Sequence, residues 1–298
     1  HLLELTAVKD STVKNVKFDN FIGKYNEENA YKEALQLDYT DETTSEAFPP
    51  YDKTACQNIT ITSCEFKNYP AGVGSHSIGI NKHTNIEISS CSFENITNVC
   101  VDAQNYFNIK VNNNKQMGKN PVSFMKIDKT SGSCSGNIVS GAEKYGLWIG
   151  EDSDVLCSND SISNVKDIGI DVSGSSKVTL SAEKISDCNN YGANINNSIV
   201  VIKDSQIKNS SKSAINAANS YVGISNNVLT NGGENGIYIS NPSDLSYADN
   251  NEITTASYSG ISIEGGKKGI SLEKNTLYDT GKYGILVCGS NDVSINKN

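Results

Sequence analysis

Apolar residues in this chain are spaced rather than massed. They alternate with polar residues over short stretches, as in Ser220-Tyr-Val-Gly-Ile-Ser225 and Asn235-Gly-Ile-Tyr-Ile-Ser240. A period of two belongs to β-strands, and no segment carries a long helical period. The strands recur. One apolar column reads Cys157, Leu180, Ile202, Ile224, Tyr247, Leu272, Ile295, at steps of 22 to 25 residues. A second column reads Gly146, Gly169, Gly192, Ala214, Gly236, Gly260, Gly284. Glycine there permits a bend and a close approach before each strand. A third reads Asn20, Asn68, Asn95, Asn164, Asp187, Asn209, Asn231, Asp279. Asn tolerates the left-handed conformation and can hydrogen-bond up and down a stack of identical turns. Short strands, tight turns and a 22-to-23-residue period predict an all-β parallel β-solenoid. About 12 coils would fill residues 1–298 as one domain. A leucine-rich repeat shares the period, but its Leu/Asn consensus and helical segment are absent.

Composition narrows the partners. No apolar run approaches the roughly 18 residues of a membrane span. Net charge is −9, which repels nucleic acid and anionic membranes. All 25 basic residues are lysine, so the bidentate clamping of carboxylates that arginine performs is missing. The eight cysteines lack CxxC or zinc-motif spacing, so no metal site is expected. Cys64 and Cys91 occupy matching places in the repeat, as do Cys134 and Cys157, which predicts stacked free thiols in the core.

Segments such as Asn58-Ile-Thr-Ile-Thr-Ser-Cys-Glu-Phe-Lys-Asn68 and Asn85-Ile-Glu-Ile-Ser-Ser-Cys-Ser-Phe-Glu-Asn95 resemble repeats of the right-handed parallel β-helix, the pectate-lyase-like superfamily. The N-terminal pieces His1-Leu-Leu-Glu-Leu5, Glu33-Ala-Leu-Gln-Leu-Asp38 and Gly72-Val-Gly-Ser-His76 are similar to a subgroup of bacterial secreted and surface proteins. The resemblance implies an extracellular or cell-surface location and an oligo- or polysaccharide partner. It does not choose among lyases, hydrolases, epimerases and binders. Strands reach both ends of the chain without a cap, so further domains are expected on both sides.

Aligning the early strands gives an outward row Asp38, His76, Asp102, Asp128 as candidate catalytic residues. Glu4, Gln36, Lys126, Trp148 and Asp171 are candidate substrate-binding residues beside it, with Cys100 in the same outward column as Gln36 and Lys126. Glu33 has the parity of Leu35 and reads as a strand start. An insertion at 39–57 and a loop at 23–32 flank this strip. Rungs stand about 4.8 Å apart, which suits the 5 to 9.5 Å carboxylate separations of glycosidases. The leading expectation is therefore a glycoside hydrolase using paired aspartates. The polygalacturonase signatures Asn-Thr-Asp, Asp-Asp and Gly-His-Gly are absent. The alternatives are a non-catalytic glycan-binding or adhesive rod, and a polysaccharide lyase or epimerase with a Lys126 or His76 base. No cofactor is expected; Glu151-Asp152-Ser-Asp154 is the single candidate for Ca2+, against a solvated turn.

Overall fold

Each coil contributes one strand to each of three parallel sheets. The computed structural model describes residues 2–20, 33–38, 55–75, 82–266 and 269–298. Sheets A and B each hold 12 strands and sheet C holds 11. Sheet A runs from Leu3–Thr6 through Glu33–Asp38, Ala71–Gly74, Val99–Gln104, Ser123–Asp128 and Tyr145–Gly150 to Tyr283–Cys288. Neighbours in every sheet come from successive coils and pair in parallel. This is the predicted β-helix, at roughly the predicted number of coils. Among the described residues no helix is long and apolar enough to cross a membrane.

The interior is a continuous file of stacked aliphatic and aromatic side chains. Phe18, Phe66 and Phe93 stack at centroid separations of 4.9 and 5.0 Å, and Phe124 closes the file edge-on at 6.1 Å. Seven of the eight cysteines are buried and none is disulfide-linked; Cys288 is exposed. The third sequence column behaves as predicted. Asn20, Asn68, Asn95, Asn164, Asp187, Asn209, Asn231 and Asp279 all have φ between 50° and 66°. Their amides climb the stack: Asn95 donates to Asn68 at 3.1 Å, and Asn231 to Asn209 at 3.1 Å. A separate, buried ladder of Asn114, Asn137, Asn227, Asn251 and Asn275 lines the corner between sheets B and C. It ties Asn114 to Asn137, Asn227 to Asn251 and Asn251 to Asn275 through both backbone N–H and side-chain amide.

Two readings of the repeat change. The apolar column runs Ile224, Ala248, Leu272; Tyr247 pairs with Gly223 one position earlier. The Tyr247 ring fills the space that a Gly223 side chain would occupy, with its Cζ 2.6 Å from where a Cβ would stand. The uneven step in the column was this one-residue slip. The glycine column is also explained by close approach rather than by unusual dihedrals. A Cβ on Gly146, Gly169, Gly236 or Gly260 would meet the next coil's carbonyl oxygen at 2.5 to 2.7 Å. At this column the chain bends, and two consecutive side chains turn inward, as with Phe124 and Met125.

Candidate functional site

The bend sets the register of the candidate site, and it moves Asp102. Cys100 occupies the bend position in its coil, level with Phe124, so it lies in the core and not in the outward column. Val101 then pairs with Met125, Asp102 with Lys126, and Gln104 with Asp128. Asp102 still faces outward but sits two residues from its expected place. The outward row therefore reads Glu4, Gln36, Gly74, Asp102, Lys126, Trp148, Asp171, Asn194. Asp38 and Asp128 belong to the neighbouring row, whose member in Asp102's strand is Gln104. They are three rungs apart, about 14 Å. The proposed single row of Asp38, Asp102 and Asp128 is thus not formed. His76 and residues 39–54 of the insertion lie outside the described residues, as does the loop at 23–32.

Glu33 is corrected in the opposite sense. The bend places Ala34 and Leu35 both inside, so Glu33 faces the outer surface with its register partner Ala71. A Cβ on Gly74 would lie 3.0 Å from Asp102 Cβ and 3.1 Å from Glu33 Cγ. The two acids converge over the glycine, and each is only 1% exposed. Gln104 Nε2 donates to both Asp102 oxygens, at 3.1 and 3.3 Å.

Beside Asp102 the surface opens into a cleft of about 320 Å3, lined by Asn98, Asp102, Lys126, Lys144, Tyr145 and Trp148 among others. Trp148 is half-buried. Its indole lies along the strand over Gly150, where a side-chain Cβ would stand 2.2 Å from the ring edge. Lys126 Nζ stands 5.5 Å from the Trp148 ring centroid, and Lys144 Nζ 4.9 Å from that of Tyr145. Both are cation–π distances. The cleft thus combines an aromatic floor, two ammonium groups and a carboxylate.

The remaining candidates are dispersed. Glu4 is exposed and accepts from Thr6 Oγ1 at 2.9 Å. Gln36 Nε2 donates to Asp38 Oδ2 at 3.3 Å. Burial raises the Asp128 carboxyl above its ordinary range, and nearby Glu151 adds to this. Burial likewise raises Asp171, against a 2.6 Å hydrogen bond from Asn194. Glu151, part of the Ca2+ candidate, is ion-paired to Lys129 at 3.0 Å. Sequence reasoning missed Asn98, Lys144 and Tyr145. The last two precede the bend column, and Tyr191, Glu234, Tyr258 and Lys282 precede it in later coils. Several of these line a second cleft of about 480 Å3 on the same face. A larger hollow of about 640 Å3 lies elsewhere, lined by Ser175, Asn197, Ile199, Asn219, Tyr221 and Asp244. It holds one acid and no opposed base, and so less chemistry than the Lys126 cleft.

Residues 125–247 and 195–298 match the family described as the right handed beta helix region. The chain belongs to that family. No curated protein sequence matches it significantly. Solved β-helices do resemble it. A mannuronan C-5 epimerase A-module of Azotobacter vinelandii superposes with a TM-score of 0.68 at 11% identity, covering 89% of this chain and 77% of that one. A periplasmic alginate epimerase gives 0.51 at 14% identity, covering 88% and 68%. The catalytic unit of a GH87 α-1,3-glucanase from Streptomyces thermodiastaticus gives 0.51 at 11%, covering 82% and 61%. At these identities the likeness is one of fold. These β-helix neighbours are carbohydrate-active proteins.

Proposed function

We propose that this β-helix acts on an acidic polysaccharide laid along sheet A, through proton transfer next to a uronate carboxylate. The observation that carries the reading is the cleft in which Lys126 and Lys144 flank the chain's single tryptophan beside Asp102. An aromatic face packs against the apolar face of a sugar ring. The two ammonium groups would neutralise the uronate carboxylate, which lowers the cost of withdrawing the proton on the adjacent carbon. Asp102 and Tyr145 are the groups available to accept and return that proton. Return to the opposite face inverts the carbon. Expulsion of the neighbouring glycosidic oxygen instead leaves a carbon–carbon double bond. The epimerase neighbours support this class, and in an arginine-free chain neutralisation falls to lysine. An extracellular or periplasmic location fits such a polymer.

Hydrolysis is the second reading, favoured by the convergence of Glu33 and Asp102 over Gly74 and by the glucanase neighbour. It moves the expected carboxylate pair from Asp38 with Asp102 or Asp128 to Glu33 with Asp102. One set of incubations separates the readings. Polymannuronate and polygalacturonate in D2O are followed by proton NMR for exchange at C5, by ultraviolet absorbance for unsaturated product, and by reducing-end release. Proton-transfer chemistry predicts exchange or unsaturation, reduced at least about 100-fold in Lys126→Met and Asp102→Asn. New reducing ends from a neutral α-1,3-glucan, without unsaturation, would establish hydrolysis instead. Saturable binding with no turnover of any polymer leaves the adhesive-rod reading.

A further inference from the structure

Among the described residues, one coil of the interior changes chemistry in two adjoining columns at once. The corner ladder is built of asparagines. Each amide donates to a backbone carbonyl of the preceding coil, as Asn114 does to Ile88, Asn137 to Val111 and Asn227 to Ile202, at 2.9 to 3.0 Å. At the next two places after Asn137 the ladder carries Asp160 and Glu183, whose side chains have no N–H to offer, and Ser205 follows before Asn227. The adjoining aliphatic column changes one coil earlier, so thiol and acid meet in the coil of Cys157 and Asp160. Val111 is followed by Cys134 and Cys157 before Leu180 resumes it. Cys134 therefore stands beside Asn137, Cys157 beside Asp160, and Leu180 beside Glu183.

Cys134, Cys157, Asp160 and Glu183 are each at most 1% exposed. The Sγ atoms of Cys134 and Cys157 stand 2.7 Å apart. These two sulfurs and a carboxylate oxygen of Asp160 lie within 4.8 Å of one another. Asp160 Oδ1 accepts from the Asn137 backbone and amide at 2.7 and 2.8 Å, and Glu183 Oε2 accepts from the Asp160 N–H at 3.2 Å. The second oxygen of each acid, Asp160 Oδ2 and Glu183 Oε1, is buried without a partner. An unpartnered buried oxygen costs about 1 to 3 kcal/mol and calls for a compensating group. Soft sulfur and anionic oxygen in a dry enclosure together suit a d10 divalent ion.

We propose that Cys134, Cys157 and Asp160 bind a buried zinc ion, with Glu183, one coil beyond, holding the Asp160 backbone N–H. The spacing is that of the solenoid and not of a zinc finger: 23 residues separate Cys134 from Cys157 and Asp160 from Glu183, so each pair stacks across one rung. Two thiolates on tetrahedral zinc stand about 3.8 Å apart, from bonds of about 2.3 Å. Uptake of the ion therefore spreads the sulfurs by about 1 Å. Because the donors are enclosed, the ion enters as the coils close during folding. It would staple the coils that carry Lys126 and Trp148 on the outer face. The site is structural and stands apart from the reading of the cleft.

The test is refolding of the full chain with equimolar zinc or cobalt, followed by dialysis against a chelator and metal analysis. About one ion per chain is expected, with thiolate-to-metal charge-transfer absorption in the cobalt form. Asp160→Asn restores the amide that Asn137 and Asn227 carry, so it keeps the fold. It should retain the β circular dichroism but hold less than about a tenth of an ion per chain. Three results would each overturn the site: wild type that refolds to the same spectrum and holds no metal, Asp160→Asn that holds as much metal as wild type, or peptide mapping that finds Cys134 and Cys157 joined as a disulfide.

Discussion

Gly150 is where the candidate platform can be moved without touching a reacting group. A Cβ placed on it stands 2.2, 2.5 and 2.9 Å from three carbons of the Trp148 indole. Carbon atoms settle at about 3.5 Å, so Gly150→Ala forces the ring edge back by about 1.3 Å. Gly150 is not in the positive-φ set, so the alanine adds no backbone strain. The ring is half-buried and can swing outward, which keeps the stability cost at the low end of the 1 to 3 kcal/mol typical of overpacking. Trp148 is the only tryptophan, so fluorescence excited at the red edge of its absorption reports this ring alone. The expected result is a red-shifted emission maximum, easier quenching by acrylamide and longer separation from Lys126. Loss of aromatic stacking is worth about 0.5 to 1.5 kcal/mol, or roughly a two- to twelvefold weaker affinity for polymannuronate. Unchanged emission would refute the placement of the indole over Gly150. Shifted emission with unchanged polymannuronate affinity would refute its role as a platform.

Other consequences are as direct. Gly74→Ala puts a methyl group against both Glu33 and Asp102, so it should cut turnover sharply while melting within a few degrees of wild type; full activity would show that the convergence of the two acids is unused. His83 is buried, accepts from the Cys56 N–H at 3.1 Å through Nδ1, and has its pKa lowered to about 4 by burial. The unfolded chain then binds the extra proton between pH 6.5 and 4, so stability is complete above about 6.5 and falls on acidification, by up to about 3 kcal/mol near pH 4. Urea unfolding across that range should show the slope in wild type and a flatter one in His83→Asn; identical slopes would exclude His83 as its source. Phe66 is stacked between Phe18 and Phe93, and Phe66→Ala should cost about 3 to 5 kcal/mol by calorimetry or denaturant unfolding. In the corner ladder, Asn227→Ala removes the amide donor to the Ile202 carbonyl and the acceptor of the Ser205 N–H and should cost about 1 to 3 kcal/mol, whereas replacement of the exposed Asn164 should cost much less.

Much of this fold was legible in the sequence because a solenoid turns sequence period into spatial neighbourhood. A residue 22 or 23 places on stands one rung away, so columns of Asn, Gly and aliphatic residues declared turns, close approaches and core before any coordinates. Outward positions such as Gln36, Lys126, Trp148 and Asp171 followed from alternation alone and are found in one row. Alternation fails where the chain bends. Cys100 substitutes for the glycine that marks the bend, and without that marker Asp102 was aligned with Asp128 instead of Lys126. The same bend reverses parity for Glu33, which cannot be seen from Leu35 and Leu37.

The sequence by itself determined the period, the strand-and-turn grammar and the class of partner that a polar, arginine-free β-rod excludes. Register at the irregular coils, the convergence of Glu33 and Asp102 over Gly74, and the seating of Trp148 on Gly150 were decided only in three dimensions. So was the meeting of Cys134 and Cys157 with Asp160, since two columns that run separately along the chain share a corner of the interior. The physical reason is common to all of them. Pattern specifies which way a side chain points relative to its own strand, while contact across coils depends on where each coil bends and on what the neighbouring coil leaves unfilled.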